Sequence, residues 1–181
     1  MTRFAALAVA LLLVGACGKS ATTAAATAPP TTALPAVIRV GPNPSVSAKM
    51  VCAPEAVNEI ATALGVRPTQ APIGTWVDHV YSCRYVFAGA VMALSVKELS
   101  RASETSAYFA QLARTLGKRS TLQLGQGGFI ANDDSAVVRK DYKVLRVDVT
   151  GLPAQFGKPP SPRSTFAADV AITVLGCWTG A

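Results

Sequence analysis

The sequence predicts an α+β domain, a mostly antiparallel sheet with helices packed on it, preceded by a signal peptide and a disordered tether. Three observations predict it. The apolar period changes from helical to two and back again along residues 49–181. The period-two segments follow one another through tight Gly, Asn and Asp turns, so sequence neighbours pair antiparallel. About 130 residues remain once the leader and tether are set aside, which suits one domain with one core.

The elements follow in order. Pro54 suits a first helical position, Val57, Ile60, Ala61 and Leu64 recur at helical spacing, and Gly65 is a natural stop. Arg67 to Thr75, broken by Pro68, Pro72 and Gly74, reads as a loop. From His79 the period is two: Tyr81, Cys83, Tyr85 and Phe87 share one face, Ala88-Gly89 turns the chain, and Met92, Leu94 and Val96 continue the face. Ser103 is the expected cap of a second helix. Its stripe is Tyr108, Phe109, Leu112 and Leu116, and Gly117 ends it. Short strands are expected at Thr121–Leu124 and Phe129–Ala131, around Gly125-Gln126-Gly127-Gly128. Asn132 to Ser135 is a turn, and Ala136–Arg139 and Lys143–Thr150 form another hairpin. Gly151 to Pro160 reads as irregular. Ser161-Pro162 opens a last helix with Phe166, Val170 and Val174 on its core face. This order places the helices against one face of the sheet.

The first residues carry an address. Thr2-Arg3 is followed by an apolar run from Phe4 to Val14 and then by Gly15-Ala16-Cys17. A basic start, a short apolar stretch and small residues before a cut site make a secretory signal peptide over 1–16. The stretch is shorter than the about 20 apolar residues a membrane span needs. Val14-Gly15-Ala16-Cys17 resembles the bacterial lipobox. That resemblance implies that Cys17 is lipidated and becomes the first mature residue, held to the outer face of the cell membrane. Residues 17–48 are rich in Ala, Thr and Pro with no periodic apolar face, so they read as the lipidated cysteine and a tether. Residues 49–181 are the single folded domain.

The formal net charge is +7, or +6 once Arg3 leaves with the signal. The basic residues are scattered in runs no longer than two, for example Lys118-Arg119, which argues against a nucleic-acid footprint. Anionic lipid headgroups suit such a surface better.

The lipobox at Cys17, the Ala/Thr/Pro tether, Cys52 just before a helix and Cys83 in a strand resemble a group of small actinobacterial lipoproteins of unknown function. The resemblance implies a fold similar to the Mog1/PsbP-like α/β/α sandwich and brings no catalytic residues. After Cys17 the cysteines are Cys52, Cys83 and Cys177, and export permits a disulfide. Cys52–Cys83 is the expected pair, because it pins the first helix onto the inward face of a strand. Cys52–Cys177 is the rival, which would staple the two ends of the domain. Closing a loop of about 30 residues stabilises by about 3–4 kcal/mol in the chain-entropy account.

Catalytic and metal chemistry find little support. His79 is the sole histidine, no Gly-x-Ser-x-Gly elbow surrounds a serine, and His79 reads as a strand-start residue on a polar rim. Asn132-Asp133-Asp134-Ser135 lacks the glycine and distal glutamate of a calcium loop and reads as a turn. Gly125 to Gly128 lacks the Gly-Lys-Ser/Thr ending of a phosphate cradle. No catalytic residue, metal site or cofactor is expected. The aromatic residues sit at core spacing, so they read as core packing and the ligand-binding residues stay unknown; Arg67, Trp76 and Trp178, in loops or at an end, are the positions to inspect for a pocket. The expected function is a lipid-anchored, non-catalytic envelope module that binds a protein or another envelope component. The alternative is a carrier of an apolar envelope ligand such as a lipid.

Overall fold

The computed structural model describes residues 37–178. The expected signal peptide, Cys17 and the tether as far as residue 36 lie outside the described residues.

The architecture is α+β: a seven-stranded antiparallel sheet in the order β1-β2-β3-β7-β6-β5-β4, with helices packed on it. The strands are β1 (Ile73–Val77), β2 (Val80–Phe87), β3 (Ala90–Glu98), β4 (Lys118–Leu122), β5 (Gly128–Ala131), β6 (Ala136–Lys140) and β7 (Lys143–Asp148). A separate small hairpin joins β8 (Gln155–Phe156) to β9 (Ser161–Pro162). The helices are α1 (Val46–Lys49), α2 (Pro54–Leu64), α3 (Ala102–Leu116) and α4 (Arg163–Gly176), with a 3-10 turn at Met50–Cys52. The chain lays down β1 to β3 as a meander. It then crosses to the far edge through α3 and meanders back through β4 to β7, so β3 and β7 meet in the middle.

Helices cover both faces, not one as expected. α2 and α4 close the first face over Cys83, Tyr85, Leu94, Leu145 and Val138. α3 lies on the second face, its stripe of Tyr108, Phe109, Leu112 and Leu116 packed on Phe129, Ala131, Val137 and Val144. The burial pattern records this. Every residue of β5 is buried, whereas β3 alternates between buried and half-buried along its length. Among the described residues no helix covers the second face over β1 to β3, and Ile73 and Val77 of edge strand β1 are 74% and 64% exposed there.

The sheet has one strand more at its start than the sequence suggests. Asp78 and His79, at φ 49° and 57°, form a two-residue turn with both central residues left-handed, and Val77 pairs with Val80 across it. His79 is therefore a turn residue and not the first residue of a strand. β4 begins at Lys118, three residues before the expected Thr121.

The ordered domain also starts earlier than the expected boundary at residue 49. Val37 bridges to Arg101, and the Ile38 amide donates to the Ser100 carbonyl at 2.9 Å. Ser45 caps α1 through its hydroxyl, which accepts from the Ala48 amide, and Ala48 is fully buried. The Ser45 amide and hydroxyl both donate to the carboxylate of buried Glu98. Residues 37–48 are thus joined to the β3–α3 connection by backbone pairing and to β3 by a buried carboxylate, neither of which a low-complexity composition announces.

Candidate ligand-binding cleft

A concavity lies where α2 ends. Gly65 terminates that helix in the left-handed region at φ 61°. The Lys158 amide donates to the Leu64 carbonyl at 2.7 Å, which brings the loop between β8 and β9 hard against the helix end. A Cβ on Gly65 would stand 2.1 Å from the Lys158 carbonyl oxygen, so glycine alone fits both the conformation and the contact. Beyond it the chain turns back along β2, and the Thr69 amide and hydroxyl both donate to the Val86 carbonyl, at 2.7 and 3.0 Å. On the other side β8 presents Phe156, wedged edge-on between Phe87 and Phe166 with ring centroids 5.1 and 5.5 Å away.

These segments enclose a cleft of about 520 Å³. Val66, Phe87 and Phe156 give it an apolar lining, Thr69 and Gln155 add polar groups, and its charged lining residues are Arg67 and Lys158. The Arg67 guanidinium donates to Asn58 Oδ1 at 3.1 Å, and neither cation has an ion-pair partner among the described residues. A volume in the range of small-ligand sites, aromatic lining and two cations with no lining carboxylate suit an anion that carries an apolar part.

A smaller recess of about 220 Å³ lies where the chain joins the domain. Ile38, Arg39 and Asn43 line one side, and Tyr142 and Lys143 of the β6–β7 turn the other, with Glu98 at its base already accepting from Ser45.

Of the residues singled out from sequence, Arg67 alone reaches the large cleft. Trp76 and Trp178 hold the incoming segment instead. Trp76 Nε1 donates to the Pro42 carbonyl at 2.8 Å, and buried Trp178 donates through Nε1 to the Ser47 carbonyl at 2.7 Å. Cys52 and Cys83 lie at disulfide distance, with Cα atoms 5.5 Å apart. Cys177 is outside that pair, and its thiol donates to Glu59 Oε2 at 3.2 Å. His79 stands edge-on to Trp76, 5.7 Å between centroids.

The Asn132–Ser135 turn spends its carboxylates on arginines. Asp134 binds Arg119 at 2.6 Å and Arg163 at 3.0 Å, while Asp133 accepts from Arg146 at 3.3 Å and from the Ser135 amide. Desolvation pushes the Asp134 carboxyl upward, but the two guanidinium hydrogen bonds and charges outweigh it and hold the carboxyl below its ordinary value. Among the described residues no group of three His, Cys, Asp or Glu side chains is placed to hold a metal ion. Gly125 to Gly127 lie in the β4–β5 connection and Gly128 opens β5; the connection is clamped by Gln126, whose amide donates to the Arg139 carbonyl at 2.8 Å and whose carbonyl accepts from the Arg139 guanidinium.

Phe156 and Lys158 are the cleft residues that sequence reasoning missed. Their segment carries no period, and the signal that was available is an aromatic residue isolated beside Gly157 and Pro159-Pro160. Among the described residues no helix is long and apolar enough to cross a membrane. In comparisons with protein-family models, curated proteins and solved structures, nothing matches this chain.

Proposed function

We propose that the chain is a lipid-anchored envelope protein, tethered at Cys17, whose domain binds an anionic, partly apolar partner or envelope component in the α2–β8 cleft without transforming it. The observation that carries the binding half of this reading is the cleft itself: aromatic lining from Phe87 and Phe156, with Arg67 and Lys158 as its charged lining residues. The lipobox-like Val14-Gly15-Ala16-Cys17 carries the anchoring half. β2 runs from Val80, near the point where the chain enters, to Phe87 at the cleft, so the cleft opens at the end of the sheet away from Val37.

Mass spectrometry of what co-purifies with the detergent-extracted protein tests this reading. We expect anionic amphiphilic species with the native protein and their loss from Arg67→Glu/Lys158→Glu, whose exposed positions leave the unfolding midpoint unchanged. Identical sets of bound species from native and variant protein would contradict it. The apolar lining favours a second reading, a carrier of an apolar ligand. That reading expects an uncharged lipid that stays bound when both cations are reversed.

A further inference from the structure

We infer that the end of the domain where the chain enters is a docking surface for anionic phospholipid headgroups, centred on Arg39, Lys143 and Arg101. The inference rests on the anchored reading above and adds an orientation to it.

Three observations point the same way. The first is position. Val37 pairs with Arg101 beside the start of α3, and Cys17 is 20 residues earlier. Twenty residues span at most about 70 Å even when fully extended, so an anchored Cys17 keeps this end within that distance of the bilayer. The second is charge. The ion pairs among the described residues (Arg119–Asp134, Arg146–Asp133, Arg146–Asp148 and Arg163–Asp134) all gather around the Asn132–Ser135 turn and the end of β7, at the opposite end of the sheet. Arg39, Arg101 and Lys143 take part in none. Lys97 and Lys140 stand on the same end, their ammonium groups on the backbone carbonyls of Asp78 and Trp178. Asp78, Glu104 and Asp141 share this end, and Glu98 is turned inward onto Ser45. The third is shape. Arg39 and Lys143 line one recess of about 220 Å³ whose Glu98 carboxylate is taken up by Ser45, which gives a lipid phosphate a recess with two cations in its lining instead of a flat surface. Basic residues held within a few ångströms of an anionic leaflet are attracted to it, and the attraction decays over a Debye length.

The test uses the acylated full-length mature protein reconstituted on vesicles of phosphatidylcholine alone or with about a quarter phosphatidylglycerol, read by amide hydrogen exchange. Exchange across residues 39–44 should slow at least about tenfold on the anionic vesicles relative to the neutral ones. It should recover in about 1 M salt, where the Debye length is about 3 Å. Arg39→Glu/Lys143→Glu should abolish the difference and the milder Arg39→Gln/Lys143→Gln reduce it, while Arg114→Glu, toward the far end of α3, leaves it. Equal exchange on the two vesicle types overturns the inference, as does the same slowing produced by inorganic phosphate without vesicles. A protein that fails to stay on neutral vesicles overturns the anchor instead. Co-sedimentation with anionic vesicles then decides the docking surface by itself: salt-sensitive binding supports it and no binding overturns it.

Discussion

At the scale of residues, the strongest local statements concern Cys83 and Asp134. Cys83 is fully buried on the face it shares with Tyr85 and Leu94, and Cys52 ends the 3-10 turn just ahead of α2. The pair joins residues 31 apart, so Cys52→Ser should lower the unfolding free energy by about 2–5 kcal/mol. Cys177→Ser should cost clearly less, because it opens no loop. Urea unfolding of the two variants, with non-reducing peptide mapping of the native protein, checks this. Asp134 sits at φ 71° between Arg119 and Arg163. Asn tolerates the same left-handed backbone, which makes Asp134→Asn a probe of the charge alone. We expect it to cost about 1–2 kcal/mol at neutral pH. Since the folded carboxyl lies below its unfolded value of about 3.9, that contribution is present above about pH 4 and disappears as pH falls through the folded value. Native and variant stabilities should therefore converge on acidification. A gap that persists at low pH would contradict the assignment.

At the scale of elements, α3 separates what a sequence states from what it leaves open. The Tyr108, Phe109, Leu112 and Leu116 stripe demands a core but does not name a face of the sheet. The face was written elsewhere, in the unbroken apolar runs Phe129-Ile130-Ala131 and Ala136-Val137-Val138. Such runs belong to strands covered on both sides. Phe129→Ala, at a fully buried position 5.3 Å from Phe109, should cost about 3–5 kcal/mol and release the amides of α3 before those of β2 and β3. Uniform loss of protection across the sheet would show that α3 is not a separate layer. β1 was hidden for another reason. Pro72 and Gly74 weaken its strand signal, yet Gly74 makes room for Tyr81, whose hydroxyl would stand 2.0 Å from a Cβ there. The β2–β3, β5–β6 and β6–β7 hairpins, the stop at Gly65 and the core faces of α2 and α4 were legible, because short-range periodicity and turn chemistry determine them, whereas the β8–β9 hairpin lies in a stretch that reads as irregular. The cleft was legible only at Arg67. Phe156 and Lys158 reach it through the docking of an aperiodic loop on the end of α2, a tertiary event with no local signature.

At the scale of the whole molecule, the domain has two unlike ends. Val37 and Trp178 lie together at one, beside Arg39, Arg101 and Lys143. At the other lie the aromatic cleft and the Asp134 arginine cluster. The docking proposed for Arg39, Arg101 and Lys143 would turn the first end toward the bilayer and leave the cleft facing away from it. Composition alone assigned residues 37–48 to the tether. Backbone pairing at Val37 and Ile38, and the fit of Ser45 to Glu98, join them to the domain. The anchoring depends on where the mature chain begins and what that residue carries. Intact mass spectrometry of the protein from its native membrane tests it most directly. The expected result is a chain that starts at Cys17, bears the added mass of lipid, and loses that mass in Cys17→Ala. A mature protein with an unmodified N-terminus would contradict it.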